Sequence, residues 1–207
     1  MPAQKSKIEG LFREIQYGNK AAFDELFVLY HDQLLAFAKQ YVKQQESAEE
    51  LTSELFVKIW LRRETLATVL NPEVYLFISI KNACLNLIRA NKKRQQVFTE
   101  PPIDQPTIQI PYAYTMGMED KELVRLLDAA VATLPAQRQM VFRLVKEQGL
   151  KCSEVAQILD LSKRTVENQL YKAVKTLAES ISGYLGYHPQ AKITKIQALS
   201  GLPLFFF

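Results

Sequence analysis

This 207-residue chain predicts an all-α protein of two small helical bundles joined by a flexible, proline-containing linker. Apolar residues recur at helical spacing through two long tracts, and no segment sustains the alternation with hairpin turns that strands need. Between the tracts, residues 95–118 bring together Pro101, Pro102, Pro106 and Pro111, whose missing N–H and fixed φ oppose a continuous helix. The expected organisation is a first bundle at residues 1–94, a linker at 95–118, a second bundle at 119–182 and a tail at 183–207.

An apolar content of 48% is ample for buried cores, which excludes disorder throughout. Twenty-six basic residues against 22 acidic ones give a net charge of +4, too mild to argue for nucleic acid by itself. The distribution says more: Lys81, Arg89, Lys92, Lys93 and Arg94 occur within residues 81–94 with no acid among them, whereas residues 95–118 hold no Lys or Arg. The only cysteines, Cys84 and Cys152, fall in helical patterns, which favours a reducing compartment over a disulfide framework. The first residues lack an apolar signal core and no apolar run reaches the ~20 residues of a membrane span, so a cytoplasmic protein is expected.

In the first bundle, helical patterns cover residues 7–17, 21–43, 48–63 and 72–93. Ser47 with Glu50 has the form of a capping box, and Asn71-Pro72-Glu73 supplies a capping side chain, a proline at the first helical position and an acid suited to the dipole. Along 48–63, Leu51, Leu55 and Ile59 form the expected buried row, widened by Phe56 and Trp60, while Glu50, Glu54 and Lys58 line another side. Acids at i and i+4 repel one another mildly, so a basic protein partner and a solvated face both fit. On 72–93, Asn82, Asn86 and Arg89 share one face that ends in Lys92, Lys93 and Arg94. Carboxamides read base edges and cations neutralise phosphates, which suits a nucleic-acid strand; a polar helix end completed by cations near the negative dipole fits equally.

In the second bundle, residues 119–133 and a segment opened by Pro135 precede CSEVAQILDLSKRTVENQLYKAVKTL, residues 152–177. Val155, Ala156, Ile158 and Leu159 share one face of a first short helix, and Val166, Leu170, Val174 and Leu177 repeat at i, i+4, i+8 and i+11 on a second. Ser153 and Ser162 are the expected caps, with Asp160-Leu161-Ser162 as the turn. Lys163, Arg164, Thr165, Glu167, Asn168, Tyr171 and Lys172 are then left outward or at the helix start, as a DNA reader requires. A helical hairpin with a solvated charged face fits the same pattern. The tail contains AKITKIQALSGLPLFFF, whose apolar surface calls for docking on the protein itself or on a partner.

No catalytic residue, metal site or cofactor is expected. His31 and His188 lie far apart in sequence, no His/Cys cluster has zinc spacing, and no GxxxxGK loop occurs. Paired acids such as Glu49-Glu50 suit a helix first turn better than a catalytic dyad.

Taken together, AEELTSELFVKIW, NPEVYLFISIKNACLNLIRANKKR, the proline-rich tether, LPAQRQMVFRLV and the helix-turn-helix resemble extracytoplasmic-function (ECF, group IV) RNA polymerase sigma factors over about residues 21–180. The wording ENQLYKAVKTL is similar to Bacteroidetes-type members. The resemblance implies sigma domain two at residues 1–94 and sigma domain four at 119–182, in a protein that binds core RNA polymerase, recognises promoter DNA and initiates transcription without being an enzyme. It implies that Glu50, Glu54 and Lys58 face the polymerase, and that Asn82 lies near the pocket for a flipped base of the minus-ten element. Lys81, Asn86, Arg89, Lys92, Lys93 and Arg94 join it in that region; Lys163, Arg164, Thr165, Glu167, Asn168, Tyr171 and Lys172 face the minus-thirty-five groove. A membrane-linked anti-sigma factor is the further implied partner, with no small-molecule substrate.

Three positions depart from the family pattern. Asp160 stands where many members place a turn glycine, Ser53 where glutamine is common, and Glu167 where a basic residue is common, which shifts the expected base preference toward cytosine. The alternative is a helix-turn-helix regulator that needs no stable polymerase association.

Overall fold

The helical spacing is realised. A computed structural model describes residues 2–97 and 118–182, and among them every regular element is helical. The chain divides into two compact units, residues 1–106 and 107–207. The core of the expected linker, residues 98–117, and the tail, residues 183–207, lie outside the described residues.

The first unit begins with α1 (Pro2–Gln16) and α2 (Lys20–Ala38). Gly18 turns the chain between them at φ 83°, a conformation that costs a glycine nothing. Asn19 then caps α2, its Oδ1 accepting from the Ala22 N–H at 3.2 Å while its Nδ2 donates to Glu14 at 2.8 Å. Ala22, Leu26, Tyr30, Leu34 and Phe37 follow at helical spacing and are buried. Helix α2 ends at Ala38 rather than near residue 43. The Val42 amide bonds back to the Ala38 carbonyl at 3.0 Å, and this turn brings Val42 into the core.

Helix α3 (Gln45–Leu61) starts earlier than the expected Ser47 capping box. Gln44 is the cap residue and the Ser47 hydroxyl donates to the Gln44 side chain, so Ser47 lies inside the first turn. Its buried row is also shifted: Leu51 is half-buried, whereas Thr52 is fully buried with its hydroxyl donating to the Ala48 carbonyl at 2.7 Å. That local bond satisfies the hydroxyl and makes its burial tolerable. Phe23 and Phe27 of α2 meet Phe56 and Trp60 of α3, with Phe27 and Phe56 centroids 4.8 Å apart. A 3₁₀ segment (Arg63–Thr68), not among the expected elements, buries Leu66 beside α1. Helix α4 (Pro72–Val97) starts where expected, with Asn71 Oδ1 accepting from the Val74 N–H at 3.4 Å.

The second unit holds α5 (Met118–Ala132), α6 (Ala136–Phe142), α7 (Cys152–Leu159) and α8 (Lys163–Ser182). Helix α6 widens at its end into a π-helical turn (Arg143–Glu147), closed by the Gln148 amide on the Arg143 carbonyl at 3.0 Å. The core gathers Val131, Leu134, Val141, Phe142, Leu144, Val155 and Ile158 around the α8 row of Val166, Leu170, Val174 and Leu177. All four α8 residues are at most 2% exposed, so α8 is fixed by one continuous apolar stripe.

Candidate nucleic-acid interfaces

In the first unit, α4 sets one face into the core and leaves the other to solvent. Val74, Leu76, Phe77, Ile80 and Cys84 are buried, and burial pushes the Cys84 thiol up to about 11. Asn82, Asn86, Arg89, Lys92, Lys93 and Arg94 are all exposed. Arg89 Nη1 donates to Asn86 Oδ1 at 3.2 Å, which pre-orients a guanidinium beside a carboxamide. Lys81 corrects the expectation: it is 5% exposed and belongs to the packed side of α4, not to the outer basic surface. At 100° per residue it points about a quarter turn away from Asn82, and only its lysine identity placed it with the others. From residue 74 to residue 97 the helix has no acid to oppose a phosphate. Tyr75, which no sequence motif singled out, is 36% exposed on the line of Asn82, Asn86, Arg89 and Lys93.

The outer face of α3 has another chemistry. Glu50, Glu54 and Lys58 are exposed, and Lys58 Nζ pairs with Glu54 Oε2 at 2.6 Å rather than leaving the acids to repel each other. Val57 and Leu61 lie on the same side, 55% and 71% exposed. An acid row beside uncovered aliphatic side chains suits a protein surface better than nucleic acid.

In the second unit, α7, a tight turn and α8 form the helix-turn-helix. The α7 cap differs from expectation: Lys151 occupies the cap position, its N–H donating to Glu154 Oε2 at 2.9 Å, and Ser153 lies within the first turn. Asp160 ends α7 in the left-handed region at φ 54°, ψ 45°, the backbone state in which glycine is free and an L-residue is strained. Ser162 caps α8 as expected, its Oγ accepting from the Thr165 N–H at 3.0 Å. Outward from the buried stripe, Lys163, Arg164, Asn168 and Lys172 are exposed, while Thr165, Glu167 and Tyr171 are half-buried. Lys163 Nζ lies 3.9 Å from Glu167 Oε1, so the carboxylate is partly neutralised by its own helix. The Cys152 thiol is raised by burial first and by the Glu167 charge second. Arg138 Nε of α6 donates to Gln169 Oε1 of α8 at 3.4 Å and adds a polar tie behind the reading face.

Behind α8, Arg143 Nη1 meets Glu147 Oε2 at 3.2 Å across the π-helical turn. Burial raises Glu147 above the usual carboxylate range, with Arg143 pulling it partly back; burial likewise raises Asp128 against the same guanidinium. These groups belong to the support, not to the outward face. Among the described residues no group of three or more His, Cys, Asp or Glu is placed to hold a metal ion, and no helix is long and apolar enough to cross a membrane.

Known proteins match both units. The family description "Sigma-70 region 2" matches residues 26–94, and "Sigma-70, region 4" matches residues 125–177. The chain is 26% identical over 182 residues to the ECF RNA polymerase sigma factor BldN of Streptomyces coelicolor, covering 85% of this chain and 66% of that protein. It is 21% identical to the ECF RNA polymerase sigma-E factor of Haemophilus influenzae, covering 86% of this chain and 97% of that one. Among solved structures, the sigma factor RpoE of Bartonella quintana, in complex with the anti-sigma factor NepR, is similar in fold. Its TM-score is 0.56 at 19% identity, covering 77% of this chain and 96% of that chain.

Proposed function

Since the chain belongs to the sigma-70 family as an ECF sigma factor, a protein that initiates transcription, we propose how its two units divide that work. The first unit, as sigma domain two, holds core RNA polymerase through Glu50, Glu54 and Lys58 of α3, with Val57 and Leu61 supplying apolar contact beside them. Its α4 captures the melted minus-ten strand, with Asn82 and Asn86 reading an unstacked base while Arg89, Lys92, Lys93 and Arg94 meet phosphates. The second unit, as sigma domain four, lays α8 in the minus-thirty-five major groove. Lys163, Arg164 and Lys172 take the backbone; Thr165, Asn168 and Tyr171 approach base edges. Glu167, held near Lys163, contributes to base preference through what remains of its charge. Residues 95–118 link domain two (1–94) to domain four (119–182), and residues 183–207 are a separate tail.

The observation that carries this reading is the pairing of region 2 with region 4 in one chain, each match spanning an outward polar or cationic helix face. A lone helix-turn-helix regulator leaves the acid-free face of α4 without a purpose. The role is one of binding and positioning, with no bond made or broken by this chain. It places the protein in the cytoplasm, and an anti-sigma factor linked to the membrane would regulate it by covering the polymerase-binding faces. The residues of ENQLYKAVKTL support a Bacteroidetes-type member of group IV.

Co-purification of the full chain with core RNA polymerase at moderate salt tests the reading. Stoichiometric retention is expected, and it is expected to weaken when Glu50 and Glu54 are changed to lysine. Absence of retention for the unaltered chain would overturn it.

A further inference from the structure

We propose that residues 192–207 of this chain are a ligand for the outer stripe of α3 and screen it until core RNA polymerase takes their place, an inference that rests on the reading of α3 as the polymerase-binding face. The stripe is Glu50, Glu54, Val57 and Leu61, which at intervals of 4, 3 and 4 residues stand one above another along about 16 Å of helix. Its two ends differ in chemistry. The acids come first and are exposed, and the aliphatic pair follows, with Val57 55% and Leu61 71% exposed. Glu46 and Glu49 add negative charge at the first end, and Lys58, the only cation within α3, is paired with Glu54 at 2.6 Å. An exposed pair of that kind contributes little, so another lysine can replace Lys58 at small cost. The stripe therefore fits a segment that brings cations first and apolar groups after them.

The tail has that composition in that order. Residues 183–207, which lie outside the described residues, contain no acid; Lys192 and Lys195 come first, and an apolar run leads from Ile196 to Phe205, Phe206 and Phe207. Three adjacent phenylalanines call for cover. Among the described residues every exposed large apolar side chain lies between residues 17 and 88, and Val57 with Leu61 is the one pair of them set a single helical turn apart. The alternatives match less well. Tyr17 and Leu70 stand in turns, Phe27 already leans on Phe56 and His31, and Tyr75 and Ile88 belong to α4, whose outer face repels lysines. Acids and uncovered aliphatic groups adjoin on one stripe only on α3, and this is the stripe that the tail's lysines and apolar run complement.

The test uses the full chain with a benzophenone-bearing phenylalanine in place of Phe206. Irradiation should crosslink it to the part of α3 that contains Val57 and Leu61, and prior addition of core RNA polymerase should remove that product. Lys192→Glu with Lys195→Glu should reduce the crosslink, because the acids of the stripe would then repel the segment. Serine at Phe205, Phe206 and Phe207 together, which keeps the chain length, should tighten core binding about tenfold if the screened face is free about a tenth of the time. Crosslinks that fall only outside α3, or core affinity unchanged by the serine variant, would overturn the proposal. Tight core binding with no crosslink to α3 would remove the docking and leave the polymerase reading in place. A crosslink to α3 that bound core RNA polymerase does not remove would overturn the screening together with the reading of α3 as the polymerase-binding face.

Discussion

Helices α4 and α8 both present cations to solvent, but they place them at opposite ends. In α4, Arg89, Lys92, Lys93 and Arg94 sit toward the C-terminal end, and Arg94 lies in the last turn, where the helix dipole welcomes positive charge. In α8, Lys163 and Arg164 occupy the first turn, where the dipole opposes them and no acid relieves them within that turn. The α4 cluster therefore has a structural reason to exist beside any functional one. Lys163 and Arg164 have almost none, so the first turn of α8 is the stronger evidence for an anionic partner. What singles out α4 is the absence of acids from residue 74 to 97 and the carboxamides that precede the cations. In α8, Glu167 and Glu179 stand 3.9 Å from Lys163 and Lys175 and moderate its charge.

The largest expected effect comes from removing the α4 cluster. Alanine at Arg89, Lys92, Lys93 and Arg94 together should lower the salt exponent of forked-DNA binding by about 3, since each single-strand phosphate contact carries about 0.7. Titration at several salt concentrations measures this; an unchanged exponent would reduce the cluster to a helix terminus. Next is Lys163→Ala with Arg164→Ala, which should lower the exponent for duplex minus-thirty-five DNA by about 2. The same pair should hold or raise thermal stability, because it removes unfavourable charge from a helix start. A loss of stability with an unchanged exponent would reverse the contrast between the helices.

Smaller effects concern the frame behind α8. Asp160→Gly should raise stability by up to about 1 kcal/mol, less the entropy that glycine adds to the unfolded chain. Denaturant midpoints report it, and a lower midpoint would mean that the aspartate side chain contributes more than its backbone strain costs. The last effect is one of pH. Glu147 has a folded pKa above its ordinary 4.5, because burial outweighs Arg143. Its contribution to stability is therefore fully present below the unfolded value and is lost as pH rises through the folded one. Amide exchange in α6 should show protection falling as pH rises through that window, after correction for intrinsic exchange, with a flatter profile for Glu147→Gln. An identical profile would assign the pH response elsewhere.

Much of this frame was legible in the sequence where one residue has one dominant physical effect. Proline after asparagine marked the start of α4, the Val166, Leu170, Val174 and Leu177 row marked the buried face of α8, and the turn expected at Asp160-Leu161-Ser162 is where the chain turns, with Asp160 left-handed. Features that depend on competing partners were not legible. Ser47 and Ser153 have the chemistry of caps, yet the backbone enters each helix two to three residues earlier, at Gln44 and Lys151. Thr52 is buried in place of Leu51 because a carbonyl one turn back accepts its hydroxyl. The outward candidates on α8 lie where its stripe leaves them. Lys81 escaped because its identity argues for solvent while its angular position on α4 argues for the core. Leu66 and the π-helical turn at Arg143–Glu147 are set by tertiary packing that no local period records.

The most direct measurement is run-off transcription by core RNA polymerase with and without this chain, on promoters selected from genomic fragments by the holoenzyme. Defined transcripts should appear only with the chain, and should be lost both in the α4 quadruple variant and in Lys163→Ala with Arg164→Ala. Specific transcripts that persist when both helix faces are altered, or none at all with the unaltered chain, would contradict a division of promoter binding between α4 and α8.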